Sequence, residues 1–250
     1  MLSLEEVPKQ MNVSQLVQDL WEVRRLPRLE VSLQAERARA NDSFYLSLVE
    51  EFFRNARRRH RRFPLIRSQT IGVAMCRLPR DFDEYFMQIE AAARRNVKKA
   101  RRLGYEFRQI TYNDHLEDVC EIRRSTSVRQ GTLPAEFVNG AVSRCNNPPS
   151  LNGAHDYPYF GVLKKDRLYA YAGCFICGEI CMLEHIYGHA THQPNGVIPM
   201  LIVGIADHLI RERPGVKYFS YGTYFGAGTT MRRFKRKFLF EPHRVNWVLG

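Results

Sequence analysis

The sequence lacks any run of about 18 apolar residues, the length that a helix needs to cross a bilayer. It also lacks internal repeats and low-complexity linkers, and its first residues, MLSLEEVPKQMNVSQLV, lack the basic-then-apolar pattern of a signal peptide. With 44% hydrophobic and 26% charged residues, the chain of 250 residues has the composition of a folded protein with a proper core. We therefore expect a cytoplasmic protein without stable membrane insertion.

A second C-x-x-C motif is also missing, which bears on the six cysteines. The segment CFICGEIC and the histidines after it offer the ligand types of a tetrahedral zinc site, namely Cys174, Cys177, Cys181, His185, His189 and His192. The same segment is typical of two strands around a Gly178-Glu179 turn, where small thiol side chains fit a core. We favour reduced core cysteines and predict no metal.

Acidic residues are fewer than basic ones: the sequence has 26 Asp and Glu against 38 Lys and Arg, which gives a net charge of +12. Eighteen of the 38 cations lie in three clusters, at residues 54–67, 94–102 and 232–237. Such clusters attract phosphate-rich partners through long-range fields and counterion release. A cationic face also serves solubility alone. Because the clusters are three and separate, we favour tRNA or a nucleotide-bearing partner.

Hydrophobic periodicity predicts helix over residues 14–62, with Asn41, Asp42 or Ser43 as a cap. From residue 70 the predicted order is β, α, β, α, α, β, β, β, α, β, α, β. A three-stranded meander covers 157–192, and its turns are predicted near Lys165-Asp166 and Gly178-Glu179. We expect a helical, basic N-terminal extension over residues 1–68 and an α/β domain over 69–250, with a mixed, mostly antiparallel twisted sheet flanked by helices.

Two of the predicted helices contain the basic clusters at 94–102 and 232–237. An amphipathic helix is predicted to begin after Asp81 and to end at Gly104, with its Arg and Lys residues on the outer faces. A basic helix is predicted from about Thr229 to Phe238, between a glycine-rich turn and the last strand.

Three segments carry a resemblance in the correct order: AAARRNVKKARRLGYEF (91–107), STSVRQG (125–131), and VKYFSYG (216–222) followed by RRFKRKFLFEP (232–242). Together with the order of elements, they resemble the GNAT acyltransferase fold and, within it, the Fem-type aminoacyl-tRNA-dependent transferases. The resemblance covers roughly residues 70 to 250. The chain departs from the family in having one such half rather than two, and in Leu239, where the family usually has glycine.

The resemblance implies a function. An amino acid carried as an ester on tRNA would be joined to an amine of a peptide or peptidyl-nucleotide acceptor, in a peptidoglycan precursor or a peptide natural product, with no further cofactor. By the family match, Lys235 is the active-site cation, with Phe234 beside it. From charge alone, Lys235 would instead be one solvated cation among five.

The resemblance also implies contacts to both substrates. The expected substrate contacts are Thr126, Arg129, His185, Tyr187 and Tyr221. Arg129 would equally serve as an ordinary cation at a helix C-terminus, and His185 and Tyr187 as core side chains. The expected tRNA contacts are Arg94, Arg95, Lys98, Lys99, Arg232, Arg233, Arg236 and Lys237, the last four of which would equally serve as surface charge.

Two alternatives stay open. The first is an N-acyltransferase of the same fold that uses acyl-CoA or an acyl carrier protein. Where CoA-dependent enzymes carry a glycine-rich pyrophosphate turn, this chain reads HQPNGVIPM, in which Gly196 is alone and Pro199 offers no amide donor. The second alternative is a non-catalytic RNA-binding protein. The sequence leaves open the amino acid, the acceptor and the oligomeric state.

Overall fold

The computed structural model describes residues 23–40, 42–59, 69–128, 133–225 and 227–250. Its strands are β1 (Arg28–Ser32), β2 (Ile71–Arg77), β3 (Glu106–Ile110), β4 (His155–Asp156), β5 (Tyr159–Lys164), β6 (Arg167–Cys177), β7 (Ile180–Gly188), β8 (Tyr218–Thr223) and β9 (Glu241–Val248). Its helices are α1 (Ala35–Arg39), α2 (Ser43–Arg57), α3 (Phe82–Gln88), α4 (Ala91–Arg102), α5 (Leu116–Arg124), α6 (Ala135–Asn139), α7 (Val197–Glu212) and α8 (Thr229–Arg236). Short 3-10 helices cover Tyr112–His115 and Ala190–Asn195.

The strands form a single mixed sheet in the order β1-β9-β2-β8-β7-β6-β5-β3, with β4 paired to β6. The β1–β9 and β7–β8 pairs are parallel and the others are antiparallel. The predicted fold class, a mostly antiparallel α/β sheet flanked by helices, is confirmed. Both meander turns are confirmed too, with Lys165, Asp166 and Gly178 at positive φ.

Helices cover both faces of the sheet. On one face, α3, α4 and α7 bury their apolar stripes against strand residues such as Phe160, Ala172 and Phe219. On the opposite face, α2 packs on strand residues that include Met75 and Trp247, while α5 covers the end of the sheet nearest β3. This burial of apolar surface on two faces is the main source of stability for such a three-layer arrangement.

The amphipathic helix predicted after Asp81 is two helices, because the chain turns extended at Ile89 and Glu90. The predicted ends are confirmed: the Asp81 carboxylate accepts from Glu84 N at 3.0 Å, and Gly104 has φ +82°. Nη1 of Arg94 holds the break, since it donates to the carbonyls of Met87 and Ile89, the latter at 2.9 Å. These carbonyls would otherwise lack partners at the end of α3.

Residues 28–32 form a strand, so the prediction of continuous helix over 14–62 is wrong there. β1 pairs with β9 in the same sheet as the rest of the chain, which only a long-range contact could reveal. The predicted helix over the later residues is confirmed as α2, and Asp42 caps it by accepting from Tyr45 N at 3.3 Å. The domain boundary after residue 68 stays a prediction. In the described part of the chain, no helix has both the length and the apolar character to cross a membrane.

Candidate active site

The sheet opens between its two central parallel strands. β7 and β8 pair only from Ile180↔Tyr218 to Met182↔Ser220, although β7 continues to Gly188 and β8 to Thr223. At the same place β7 carries a bulge, since Gly173 pairs with His185 while the adjacent Cys174 pairs with Leu183, which leaves Glu184 as the extra residue. Bulges bend a strand and are common beside active sites. The ends of β7 and β8 therefore form two walls of an opening.

Lys235 lies on the β8 wall of this opening. Its side chain is 4% exposed, and its Nζ donates a hydrogen bond to the Thr223 carbonyl at 2.6 Å. The same nitrogen lies 4.9 Å from the centre of the Tyr221 ring, within the range of a cation–π contact. Both partners belong to the part of β8 beyond its last pair with β7.

The sequence fixes Lys235 here through the aromatic residues around it. The helix ends at Arg236 rather than near Phe238 as predicted, yet the ring of Phe238 in the turn after it packs on the ring of Phe234, with centres 5.2 Å apart. Phe238 and Phe240 are buried, and Phe240 N donates to the Lys235 carbonyl at 3.2 Å. The helix is thereby anchored at its end, directly after the lysine.

Leu239 makes the turn that closes α8. Its φ is +65°, a left-handed conformation that a residue with a Cβ adopts at a cost of about 1–2 kcal/mol. The Fem-type pattern has glycine at this position. Leu239 therefore keeps the left-handed backbone conformation that glycine adopts readily, although it carries a side chain. The packing of Phe238 and Phe240 on either side supplies the constraint that holds Leu239 there.

The other four cations of the strip 232–237 differ in whether their side chains contact the rest of the protein. Arg232 donates through Nε to the Ala227 carbonyl at 2.9 Å and lies over the rings of Tyr224 and Phe225. Arg236 lies over the Tyr224 ring and is 3.7 Å from the Glu241 carboxylate. Arg233 is exposed and Lys237 is half-buried. Arg232 and Arg236 thus hold the loop before α8, while the side chain of Arg233 faces solvent.

The predicted contacts on β7 lie on the other wall. Tyr187 is buried against the rings of Phe137 and Tyr171, with centres 5.3 and 5.4 Å away. His185 is half-buried, and burial together with the nearby Arg123 cation lowers its pKa below the usual range. Beside it, the Glu184 side chain reaches solvent, yet the protein packed around its carboxyl desolvates it and raises its pKa. Both shifts favour neutral groups along this wall.

Arg123, on α5 beside this wall, is a residue that sequence reasoning missed. Its Nε donates to the Tyr171 hydroxyl at 3.3 Å and its Nη2 to the Tyr112 hydroxyl at 3.4 Å, while its guanidinium covers the Phe137 ring. Nothing in its local sequence marked it out, because its contacts depend on the packing of α5 over the meander. The hydroxyl of Thr126 bonds locally to Val128, whose carbonyl it reaches at 2.8 Å. Arg129 lies outside the described residues.

Of the four predicted tRNA contacts on α4, two are bonded within the protein and two are exposed to solvent. Arg94 is engaged at the end of α3, as described above. Lys99 donates to the Pro194 carbonyl at 2.8 Å, while Arg95 and Lys98 are exposed. The structure therefore leaves the side chains of Arg95 and Lys98 directed at solvent, and all four assignments stay predictions.

The start of α7 is packed tightly against α4. Gly196 has φ +86°, and a Cβ at this position would collide with the Asn96 carbonyl oxygen. Val197, Pro199 and Met200, in the first turn of α7, are buried. A pyrophosphate needs free backbone amides at a helix start, and here the first turn is covered by protein and interrupted by proline.

The cysteines lie in the sheet and its two cores. Cys174 is buried in the core on the α7 side, whereas Cys177, three residues later on the same strand, is buried in the core on the α2 side. Their side chains point to opposite faces, so one metal ion cannot bind both. In the described ranges, no group of three His, Cys, Asp or Glu residues is arranged to hold a metal.

Comparison with protein-family models and with curated proteins finds no match. Solved structures do match. FemX is 12% identical, with a TM-score of 0.52 over 69% of this chain and 59% of FemX. The C-terminal DUF2156 domain of a protein from Agrobacterium fabrum is 15% identical (TM-score 0.44, 68% of this chain and 57% of that one), and L-PGS from Bacillus licheniformis is 12% identical (TM-score 0.43, 68% and 56%). The chain spans less than two thirds of each. The likeness to FemX shows a shared GNAT-like, Fem-like fold.

Proposed function

We propose that this protein is an acyltransferase that moves an aminoacyl group from charged tRNA to an amine of a peptide or peptidyl precursor and forms an amide bond. The observation that carries the proposal is the buried Lys235, whose Nζ is fixed by Thr223 and Tyr221 at the opening between β7 and β8. Burial of a lysine side chain costs free energy, so a buried cation held at the opening of a sheet suggests a chemical role.

The reaction requires little beyond positioning and one stabilised oxyanion. The neutral amine of the acceptor attacks the ester carbonyl carbon, a C–N bond forms, the C–O bond to the ribose breaks, and the amine proton goes to the departing ribose oxygen. A fixed geometry supplies roughly 7–11 kcal/mol of the rate enhancement. In this proposal the Lys235 ammonium donates to the carbonyl oxygen as it becomes negative, which is worth roughly 3–4 kcal/mol.

Two features favour tRNA over CoA as the donor. The buried first turn of α7, with Gly196 against Asn96 and Pro199 inside it, offers a poor site for a pyrophosphate. Exposed cations on two helices, Arg95 and Lys98 on α4 and Arg233 on α8, suit a polyanion larger than a nucleotide. Both features agree with the reaction that the Fem-type resemblance implies.

The test supplies a mixture of charged tRNAs and a panel of peptide amines, and it follows the labelled amino acid into an amide product. We expect transfer that disappears after treatment of the donor with RNase. Transfer from acyl-CoA or an acyl carrier protein that resists RNase would replace the proposal with the N-acyltransferase alternative. RNA binding without turnover on any amine would support the second alternative, a non-catalytic RNA-binding protein.

A further inference from the structure

Two arginines occupy paired positions on β1 and β9, neighbouring strands that β2 separates from the opening between β7 and β8. Arg28 on β1 is the partner of Arg244 on β9, and the parallel pairing places both side chains on one face of the sheet. Arg244 N donates to the Pro27 carbonyl at 2.9 Å, which fixes the pairing at this end. Like charges at paired positions of a sheet repel each other. A fold that keeps this pair benefits from an anion between them.

The guanidinium of Arg244 has spare hydrogen-bonding capacity. Its Nε is buried and has no hydrogen-bond partner, which is costly for a charged group. The acidic residue on the same face of β1, Glu30, accepts a hydrogen bond from Asn246 at 3.0 Å. Within the described ranges, the ion pairs involve neither Arg28 nor Arg244.

A groove runs along these arginines. It has a volume of about 490 Å³ where Arg28 and Arg244 form its walls and Leu29 and Ile71 are among its lining residues. A smaller hollow of about 170 Å³ shares Thr70, Val245 and Asn246 with it and adds Arg57. The concave surface lined by Arg28 and Arg244, called here the arginine groove, therefore combines two cations with apolar surface.

The groove lies at the same end of the sheet as the Thr223 carbonyl that holds Lys235. β2 lies between the two, since its Val73 pairs with Thr223 of β8 and its Ile71 pairs with Arg244 of β9. Neighbouring strands are about 4.8 Å apart, so β8 and β9 lie roughly 10 Å from each other across β2. A chain of phosphates that passes the exposed Arg233 could thus reach the arginine groove along this end of the sheet.

We propose that the arginine groove binds the phosphate backbone of RNA and holds the body of the tRNA while its charged end reaches Lys235. This inference rests on the proposed function and extends it to a second, non-catalytic contact. Guanidinium groups bind phosphate oxygens through paired hydrogen bonds, and apolar lining suits a ribose. An anionic membrane is the less suitable occupant, because a lipid surface is broad and cannot enter a concave groove at the edge of a sheet.

The experiment measures binding of uncharged tRNA by fluorescence anisotropy across a series of salt concentrations. It compares the wild-type chain with Arg28→Gln, Arg244→Gln and the double variant. Arg108→Gln is the matched control, because Arg108 lies at the opposite end of the sheet on β3 and is paired with Glu106 and Asp166. Arg28 is exposed on an edge strand, so Arg28→Gln tests the site even if Arg244→Gln disturbs the fold.

We expect each variant to bind about eightfold more weakly at 0.1 M salt, since each lost phosphate contact removes about 0.9 from the slope of log affinity against log salt. The double variant should lose about twice that slope, and Arg108→Gln should match the wild type. Wild-type affinity and slope in both single variants would overturn the inference. So would a loss of binding to vesicles of 30% phosphatidylglycerol with unchanged tRNA binding.

The transfer assay separates this inference from the proposed function. If the variants lose tRNA affinity while the wild type transfers no amino acid, the groove stands and the proposed reaction fails. If RNase-sensitive transfer occurs and the variants bind tRNA normally, only the groove fails.

Discussion

Nζ of Lys235 lies 2.6 Å from the carbonyl oxygen of Thr223, which joins the basic helix α8 to the end of β8 that is no longer paired with β7. The contact explains how one cation of a basic strip becomes buried while Arg233, two residues earlier, stays exposed. The Thr223 carbonyl and the Tyr221 ring also hold the position of the ammonium through two separate contacts. Preorganisation of this kind is what an oxyanion contact requires.

The Tyr221 ring should position the Lys235 ammonium during turnover. Replacement of Tyr221 by leucine removes the cation–π contact and should lower kcat about fivefold, the equivalent of about 1 kcal/mol, with little change in KM. The measurement is steady-state transfer to a peptide amine. Tyr221→Phe keeps the ring and should behave as the wild type. A large effect of Tyr221→Phe with a small one of Tyr221→Leu would show that the hydroxyl matters instead of the ring.

Arg94 should contribute to folding through its contacts with the end of α3. Replacement by glutamine removes charge-assisted hydrogen bonds to carbonyls and should lower the free energy of unfolding by about 1–2 kcal/mol. The measurement is urea unfolding followed by circular dichroism. Arg95→Gln is the matched control, because Arg95 is exposed, and it should change stability by less than about 0.5 kcal/mol.

The same pair of variants tests the prediction that Arg94 contacts tRNA. If Arg94→Gln weakens tRNA binding while the free energy of unfolding equals that of the wild type, the phosphate role is correct and the helix-end role is wrong. If stability falls and tRNA affinity persists, the reverse holds.

Leu239 should be a strained residue. At φ +65°, Leu239→Gly relieves the cost of the left-handed conformation, whereas Leu239→Ala loses nearly the same packing without that relief. The glycine variant should therefore be more stable than the alanine variant by about 1 kcal/mol. Thermal unfolding of both measures the difference. An alanine variant of equal or greater stability would mean that this turn carries no strain.

The cysteines of the sheet should be unreactive in the native protein. Burial raises the pKa of the Cys76 thiol to about 12 and places the Cys174 thiol well above its usual range, so neither forms thiolate near pH 8. The half-buried Cys120 and Cys145 should be alkylated first. Pulse alkylation followed by peptide mass spectrometry gives the order. Early modification of Cys174 or Cys177 would contradict their place in two packed cores.

The order of elements from residue 70 could be predicted from sequence because caps and turns in the local sequence mark where elements begin and end. Asp81 and Gly104 bound the α3–α4 pair, and two turns bound the meander. The break between α3 and α4 at Ile89 could not be predicted. It depends on the Arg94 side chain and on a hydrogen bond that Glu90 N donates to the Lys237 carbonyl. β1 escaped prediction for the same reason: only its pairing with β9 makes it a strand.

The candidate site was partly predictable. Lys235 stood out because its neighbours Phe234 and Phe238 follow helical spacing and match a family motif, and burial then set it apart from the other four cations. Arg123 and Glu184 carried no local signal, because their setting depends on α5 packing over the meander and on a bulge in β7.

The central claim is that the Lys235 ammonium acts on the ester carbonyl during transfer. Lys235→Met fills the same space without the charge, and its single-turnover rate should fall by about 10²–10³-fold at saturating charged tRNA. Its affinity for tRNA, measured in parallel, should stay within about twofold of the wild type, whereas Arg233→Gln should weaken affinity and leave the rate unchanged. A Lys235→Met enzyme that transfers at the wild-type rate once tRNA is saturating would contradict the account and reduce Lys235 to a contact that holds RNA or the fold.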